Sequence, residues 1–328
     1  MTPFSAYAHE WLYGANGYYA SVPAIGRSGD FFTSVSASRF FGGAIANYLI
    51  SLVQSGAVAE NAAVCEFGAH GGHLMADIAQ FVYTLEPRLL GSLEFVIIEP
   101  FAQLRAVQNS YIRAGFGEHI RFRTVQSIDE VRAHSAFVYA NELFDAFAFD
   151  LINGDQMAFA DDHRVVWQTA ESAMLKRAEA VGVVKGELFA GFEAFAVRLA
   201  AAFERCEMIT FDYGTDAPRN DFSARIYRDH QVFPLLEPSS LEPFFAVSDL
   251  TADTPFWHLA QAFTAAGFES FPTKAQNAAL IDMGLTELLK IYEEKAGFAA
   301  YRNEVGRVRT LIDPSMLGER FRFCRFRR

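Results

Sequence analysis

A glycine-rich segment at residues 62–72 constrains the fold more than any other part of the chain. It reads AAVCEFGAHGG, so a short apolar run leads to Glu66 and then to Gly68, Gly71 and Gly72. Apolar residues recur at three- and four-residue spacing after the glycines, which is typical of an amphipathic helix. The pattern predicts a strand, a tight turn and a helix. Such a turn brings backbone N–H groups and a helix N-terminus close to a ligand, as in nucleotide sites.

Two later apolar runs end in polar residues at suitable distances from this turn. The run EFVIIE ends at Glu99, and AFVYANELFD carries Asn141, Glu142 and Asp145. Polar groups at the carboxyl ends of strands in an open α/β sheet mark the ligand crevice, and an acid after the second strand accepts hydrogen bonds from ribose hydroxyls. We therefore expect Glu99 to bind a ribose and at least one of the other three residues to be functional.

The strand–helix rhythm breaks after residue 146. Residues 147–184 alternate around Asn153-Gly154, a strong hairpin signal, and predict an inserted antiparallel region. A helix is expected from about Gly186 to Glu204. The Pro- and Ser-rich stretch at residues 217–255 is too long for a routine connection and predicts a functional insertion.

The N-terminal segment, residues 1–60, is a long lead-in before the first predicted strand. Its glycines are followed by Thr33 and Ser34, either of which can cap the next helix. We predict that residues 1–60 form a cover over the site and that residues 61–328 form the catalytic domain.

Charge and cysteine usage exclude several classes of protein. The net charge of −11 argues against general nucleic-acid binding. Cys65, Cys206 and Cys324 lie in apolar runs that predict strands, and they show no metal-ligand spacing. The sequence contains no apolar run of the ~20 residues needed to cross a bilayer. We expect a soluble cytoplasmic protein that binds neither a metal nor a membrane.

An ordered set of motifs resembles the MidA-like S-adenosylmethionine-dependent methyltransferases, whose mitochondrial members assist respiratory complex I assembly. The match runs in order over nearly the whole chain. Its central motifs are Gly29-Asp30-Phe31-Phe32-Thr33-Ser34, Glu66-Phe67-Gly68, Asn141-Glu142-Leu143-Phe144-Asp145-Ala146, Phe211-Asp212-Tyr213-Gly214, Arg225-Ile226-Tyr227-Arg228-Asp229-His230 and Asp249-Leu250-Thr251-Ala252.

The resemblance implies an α/β class I methyltransferase fold, with a mostly parallel Rossmann-like sheet whose last strand is antiparallel. It also implies S-adenosyl-L-methionine as cofactor and protein arginine N-methylation as activity, with an arginine-containing protein as substrate; a homodimer is left open. The residues it implies at the cofactor are Gly29, Asp30, Thr33, Ser34, Glu66, Gly68, Gly72, Glu99 and Asn141. Those implied on the substrate side are Arg225, Tyr227 and His230.

We hypothesise that the carboxylates Glu142 and Asp145 are the catalytic residues. A carboxylate pair can hold a guanidinium in a bidentate grip and accept the proton that it loses on methylation. Their spacing at the end of a predicted strand motivates the assignment.

Departures from the family pattern leave alternatives open. His70 replaces a glycine, so it is expected to strain a turn that needs a positive φ or to narrow the cofactor pocket. Ser36 and Asp253 stand where the family has Glu and His. One alternative is therefore a catalytically degenerate binding or assembly protein. A weaker one is a nicotinamide-dependent oxidoreductase, although the fingerprint G-x-G-x-x-G is not present after Gly68.

Overall fold

A computed structural model of the chain describes residues 1–20 and 33–328. The chain forms two compact units. The sheet unit comprises Thr33–Glu142, Val197–Asp212 and Gly267–Arg328. The hairpin unit comprises Leu143–Ala196, Tyr213–Ala266 and the described residues 1–20. These boundaries differ from the predicted division at residue 60, and the role of residues 1–60 as a cover stays a prediction.

Helices occur in both units. In chain order they are α1 (Phe4–Tyr13), α2 (Ser34–Ala37), α3 (Phe40–Gln54), α4 (His73–Leu85), α5 (Pro87–Ser92), α6 (Ala102–Phe116), α7 (Ser172–Ala180), α8 (Phe192–Ala202), α9 (Phe256–Ala265), α10 (Gln276–Asp282), α11 (Leu285–Ala296) and α12 (Phe298–Ile312). In the part of the chain that the structure describes, no helix is long and apolar enough to span a membrane.

Strands alternate with these helices in the first part of the sheet unit and cluster in the hairpin unit. In chain order they are β1 (Thr2–Pro3), β2 (Ala63–Phe67), β3 (Glu94–Ile98), β4 (Phe122–Val125), β5 (Ala133–Asn141), β6 (Phe149–Asn153), β7 (Gln156–Asp161), β8 (Arg164–Thr169), β9 (Lys185–Phe189), β10 (Phe203–Thr215), β11 (Arg225–Arg228), β12 (Gln231–Pro234), β13 (Asp249–Thr251), β14 (Thr254–Pro255), β15 (Glu269–Ser270), β16 (Lys274–Ala275) and β17 (Phe321–Arg327).

The sheet unit is built on a mostly parallel sheet with the strand order β15, β17, β10, β5, β2, β3, β4. Every neighbouring pair from β10 to β4 is parallel. All five residues of β2 are buried, as are four of the five in β3. Continuous apolar strands of this kind are typical of a parallel sheet that is covered on both faces.

The last strand of this sheet is antiparallel, as the resemblance implied. Cys206 of β10 and Arg328 exchange both backbone hydrogen bonds, at 2.9 and 2.8 Å, which is the pattern of an antiparallel pair. The strand β17 also pairs antiparallel with β15 and β16. Its phenylalanines are buried, and the three cysteines are free thiols buried in β2, β10 and β17. The predicted fold class is therefore confirmed.

Two glycines allow α3 to approach α4 closely. A Cβ on Gly42 would lie 2.7 Å from the Cβ of Asp77, and one on Gly43 would lie 2.8 Å from the ring of Phe81. Such distances are too short for a real side chain, so larger residues would push the helices apart. The contact holds α4, whose first residue follows the glycine-rich turn.

The hairpin unit contains two antiparallel sheets. One has the order β1, β7, β6, β9, with β8 paired to β7, and the other has the order β12, β11, β13. The predicted hairpin is confirmed, since Asn153 pairs with Gln156 and Gly154 takes a φ of +64° in the turn.

The predicted helix from about Gly186 to Glu204 is wrong in its first part. Residues 185–189 form β9, which pairs with β6, and α8 begins only at Phe192. Gly186 and Gly191 have φ values of +138° and +102°, which a helix does not contain. The phenylalanine spacing favoured a helix because it reports local periodicity and not pairing with a distant strand.

Candidate cofactor site and buried carboxylate cluster

The carboxyl ends of three adjacent parallel strands lie side by side in the sheet unit. Phe67 of β2 pairs with Ile98 of β3 and with Ala140 of β5. The residues that follow these three in the chain are Gly68, Glu99 and Asn141. The chain passes from β2 to β3 on one side and returns to β5 on the other, so the strand order reverses at this edge. Open α/β sheets bind their ligands at such a point.

The turn after β2 holds three residues in the left-handed backbone conformation. The φ angle is +68° at Gly68, +44° at His70 and +82° at Gly72. Glycine adopts this conformation readily, whereas for histidine it costs about 1–2 kcal/mol. The expectation that His70 strains the turn is thus confirmed. Its carbonyl accepts a hydrogen bond of 2.9 Å from Nε2 of Gln108, which holds the strained residue in place.

Glu66 caps the helix that follows the turn. Its carboxyl group accepts a hydrogen bond from the Met75 N–H in the first turn of α4, and the Tyr139 hydroxyl donates to Oε2 at 3.1 Å. Burial raises the pKa of Glu66 to about 8, while the bonds from Tyr139 and Met75 act to lower it. Glu66 is therefore mostly protonated at neutral pH, and a nearby cation would favour its ionised form.

Glu99 is held by two donors in the sheet unit. The Phe101 N–H donates to Oε1 at 3.0 Å, and Nε2 of Gln108 donates to Oε2 at 3.3 Å. Burial raises the pKa of Glu99, and these two hydrogen bonds act to lower it. A carboxylate offers about four lone-pair directions, so both oxygens can accept further hydrogen bonds from hydroxyl groups.

Asn141 and Glu142 follow each other at the end of β5. Nδ2 of Asn141 donates to Oε1 of Glu142 at 2.8 Å, and the Glu142 N–H donates to the Phe211 carbonyl at 2.9 Å. Oδ1 of Asn141 is buried and has no hydrogen-bond partner among the described residues. Glu142 has a φ of +52°. A left-handed, non-glycine residue at a ligand crevice is typical of functional sites.

The predicted cover residues fall into two groups. Gly29 and Asp30 lie outside the described residues. Thr33 caps α2, since its Oγ1 accepts the Ser36 N–H at 3.2 Å and its own N–H donates to Oγ of Ser36 at 3.0 Å. Ser34 is buried, and its hydroxyl donates to a glutamine of α10 at 3.0 Å. Both thus have structural roles, and their contact with a cofactor stays a prediction.

The chemistry of this edge fits a cationic nucleoside cofactor. Glu99 offers acceptors for ribose hydroxyls, Asn141 offers a buried acceptor, and Glu66 offers a carboxyl group that a cation would ionise. A Cβ on Gly72 would meet the side chains of Ile97 and Gln108 at 3.6–3.7 Å, so a larger residue would fill the space beside the turn. Within residues 1–20 and 33–328, no three potential ligands are grouped to hold a metal ion.

A second polar cluster lies within the hairpin unit, around Asp145. The Tyr213 hydroxyl donates to Oδ2 of Asp145 at 2.5 Å and lies 2.8 Å from Oγ1 of Thr251. The Arg225 guanidinium lies over the Tyr213 ring, 4.7 Å from its centre. Burial raises the pKa of Asp145 to about 6, while the Tyr213 hydrogen bond and the Arg225 charge act to lower it. Asp145 is therefore mostly ionised at neutral pH.

Arg225 is fixed by its neighbours in the same unit. Its Nη1 pairs with Oδ1 of Asp253 at 2.8 Å, and its Nε donates to the Tyr227 hydroxyl at 3.0 Å. Asp253 also pairs with Arg219. Arg219, Arg225 and Asp253 line an open pocket of about 320 Å³. The structure thus brings Arg225 and Tyr227 together, and their role in substrate binding stays a prediction.

His230 lies away from this cluster. It occupies the turn between β11 and β12, where Arg228 pairs with Gln231 and both Asp229 and His230 have positive φ angles. Arg225 begins β11, so it lies roughly 10 Å along the strand from this turn. The structure therefore does not place His230 beside Arg225, and its role in substrate binding also stays a prediction.

Three residues that contact the predicted site residues were given no site role in the sequence analysis. Gln108 touches Glu99, while Tyr139 and Tyr213 donate to the two other buried acids. The sequence did contain an indication for Gln108, since it lies four residues after Leu104 and four before Ile112, on the buried side of α6. A polar residue in an apolar stripe needs an internal partner.

Two solved structures share this architecture, and one curated protein is similar in sequence. A protein from Burkholderia thailandensis, crystallised with bound S-adenosyl-homocysteine, superposes with a TM-score of 0.83 at 22% identity, covering 99% of this chain and 87% of that one. A native crystal structure from the same organism gives a TM-score of 0.80 at 22% identity with the same coverage. The human mitochondrial protein arginine methyltransferase NDUFAF7 is 24% identical over 343 residues, covering 94% of this chain and 76% of the relative.

The family assignment rests on the sequence match. Residues 44–273 match the family described as "Putative S-adenosyl-L-methionine-dependent methyltransferase". This region contains the glycine-rich turn, the buried acids Glu66 and Glu99 and the end of β5, and it is more than half of the chain. The chain therefore belongs to the MidA-like family of S-adenosyl-L-methionine-dependent methyltransferases, with S-adenosyl-L-methionine as its cofactor.

Proposed function

We propose that this protein methylates arginine side chains of a protein acceptor and thereby supports assembly of a respiratory complex. The observation that carries the proposal is the alignment with a protein arginine methyltransferase over 94% of this chain. The net charge of −11 and the buried acids at the strand ends support a cationic acceptor. Family membership also favours this activity over the nicotinamide alternative.

The chemistry required of the protein is mainly positioning. Bound S-adenosyl-L-methionine supplies a methyl group on a sulfonium, and the C–S bond breaks as the C–N bond to the guanidinium forms. Glu66, Glu99 and Asn141 would hold the cofactor, as their chemistry supports. Orientation of two reactants can supply ~7–11 kcal/mol toward the barrier.

Glu142 and Asp145, three positions apart in the chain, are our catalytic residues. In this proposal they hold the guanidinium by charge-assisted hydrogen bonds, and one of them accepts the proton that it loses. The left-handed backbone of Glu142 and the ionised state of Asp145 at neutral pH support the assignment.

Transfer of an isotope-labelled methyl group tests the proposal. The purified protein is incubated with labelled S-adenosyl-L-methionine and with extract or respiratory-complex fractions, and the products are mapped by mass spectrometry. We expect methylarginine in the reaction with wild type and its loss with the double variant Glu142→Gln, Asp145→Asn. The exposed acids Glu118 and Asp229, changed to amides, serve as controls and should leave the signal intact.

Label on residues other than arginine would contradict the proposed acceptor. Unchanged methylarginine in the double variant would contradict Glu142 and Asp145 as the catalytic pair. The degenerate alternative is motivated by the strained His70 and is decided separately, by calorimetry with S-adenosyl-L-methionine. Micromolar binding supports the enzyme, whereas no binding by folded protein supports an assembly factor. Cell fractionation tests the proposed cytoplasmic location. Light scattering tests whether the protein forms a homodimer.

A further inference from the structure

Gln108 connects two parts of the cofactor site in the sheet unit. It lies on α6 and is fully buried. Its Nε2 donates to the His70 carbonyl at 2.9 Å and to Oε2 of Glu99 at 3.3 Å. Both partners are acceptors, so only the NH₂ end of the amide fits at this position. One amide thus ties the strained residue of the glycine-rich turn to the acid that follows β3.

A purely structural role does not account well for this side chain. Oε1 of Gln108 is buried and has no hydrogen-bond partner among the described residues. A buried acceptor that lacks a partner destabilises the fold, so an apolar residue would suit the core between Leu104 and Ile112 better. The side chain is therefore better explained by what its NH₂ group holds than by packing.

We propose that Gln108 is a positioning residue for the ribose of the cofactor. Its NH₂ group fixes the rotation of the Glu99 carboxylate, whose other oxygen is fixed by the Phe101 N–H. It also fixes the His70 carbonyl, and with it the turn that carries Gly68 and Gly72. The proposal rests on the cofactor assignment and does not depend on arginine as the acceptor.

The same contacts affect the charge of Glu99. Burial raises its pKa, and the hydrogen bond from Gln108 acts against that rise. An ionised carboxylate is the stronger acceptor for ribose hydroxyls. Gln108 thus supports both the orientation and the acceptor strength of Glu99.

Calorimetry with two ligands tests the proposal on the whole chain. The ligands are S-adenosylhomocysteine and its 2′,3′-dideoxy analogue, which lacks the hydroxyls that Glu99 would accept. The variant Gln108→Met keeps much of the side-chain length but removes both hydrogen bonds. We expect this variant to lower the affinity for S-adenosylhomocysteine by about tenfold or more, as for the loss of a hydrogen bond to a charged group. Its affinity for the analogue should fall by less than about threefold, because the analogue has no hydroxyls to bind Glu99 in either protein.

The next residue on α6 provides the matched control. Asn109 also donates its amide to a backbone carbonyl and to a side chain, Oγ1 of Thr124, and neither of these bonds goes to Glu99 or His70. Asn109→Met should leave the affinity for both ligands unchanged. In the cofactor-free protein, hydrogen exchange at Gly72, whose N–H donates to the Ala69 carbonyl, should rise only in Gln108→Met.

Equal losses for the two ligands would overturn the proposal, as would unchanged affinity in folded Gln108→Met or no binding of S-adenosylhomocysteine by wild type. If Gln108→Met does not fold, Gln108→Asn replaces it, since it keeps the amide but withdraws it by one methylene. The same ribose-dependent loss is then expected. Failure of arginine methylation would leave all of these affinities unchanged, so the two proposals fail separately.

Discussion

Glu66 should make the cofactor-free protein less stable as the pH rises. Its carboxyl group is buried, and burial raises its pKa to about 8 from the usual value of 4.5. A group whose pKa is raised by folding contributes stability that is fully present below its unfolded pKa and is lost as the pH rises through the folded value. The loss therefore falls between about pH 4.5 and pH 8. The variant Glu66→Gln has nearly the same shape and cannot titrate, so it should lack this loss.

The size of the effect follows from the two pKa values. Each pH unit between them changes the free energy of unfolding by about 1.4 kcal/mol. Between pH 5 and pH 7.5 the wild type should lose roughly 3 kcal/mol more than Glu66→Gln. Asp77, whose burial raises its pKa to about 7, adds to the slope of both proteins and largely cancels in the comparison.

Urea unfolding at several pH values between 5 and 8 measures this difference. The free energy of unfolding is obtained from the midpoint and slope of each curve for wild type and Glu66→Gln. Glu118→Gln is the matched control, since its side chain is 92% exposed and folding removes little of its water. Parallel pH profiles for wild type and Glu66→Gln would refute the reasoning, because they would mean that Glu66 is already ionised in the folded protein.

Two further predictions concern buried acids. Glu207 is buried and pairs with two arginines of β17, so Glu207→Gln should lower the free energy of unfolding by about 3 kcal/mol, measured in urea. An unchanged midpoint would show that the pairs contribute nothing. Removing the hydroxyl in Tyr213→Phe should raise the pKa of Asp145 above about 6, because that hydroxyl donates to its carboxylate. Titration of carbon-13-labelled aspartate by NMR measures the shift, and a lower pKa would count against the assigned bond.

The sheet and the edge of the cofactor site could be predicted from local sequence. Buried parallel strands are continuous apolar runs, and the residue after each run must lie at the carboxyl edge. The positions of Glu99 and Asn141 at this edge could therefore be predicted from the apolar runs that precede them. The turn after β2 could be predicted from Gly68 and Gly72, because a left-handed backbone favours glycine.

Contacts between distant segments could not be predicted in this way. On α6 the apolar Val107 is 42% exposed, whereas the polar Gln108 is fully buried, so residue type alone does not identify the inward side of this helix. The strand β9 forms only because β6 offers it a partner, so local spacing favoured a helix there. The family motif placed His230 with Arg225, but His230 lies in the hairpin turn and Arg225 lies at the far end of β11.

The position of β17 affects how the sheet can assemble during synthesis. This strand lies between β10 and the short strand β15, yet it follows both in the chain. Until residues 321–327 leave the ribosome, one backbone edge of β10 is open, and Glu207 still lacks its two arginine partners. An open edge of this kind is a template for pairing with other nascent chains. A chain shortened to end just before residue 321 should therefore aggregate more than the full chain, because its β10 edge stays open.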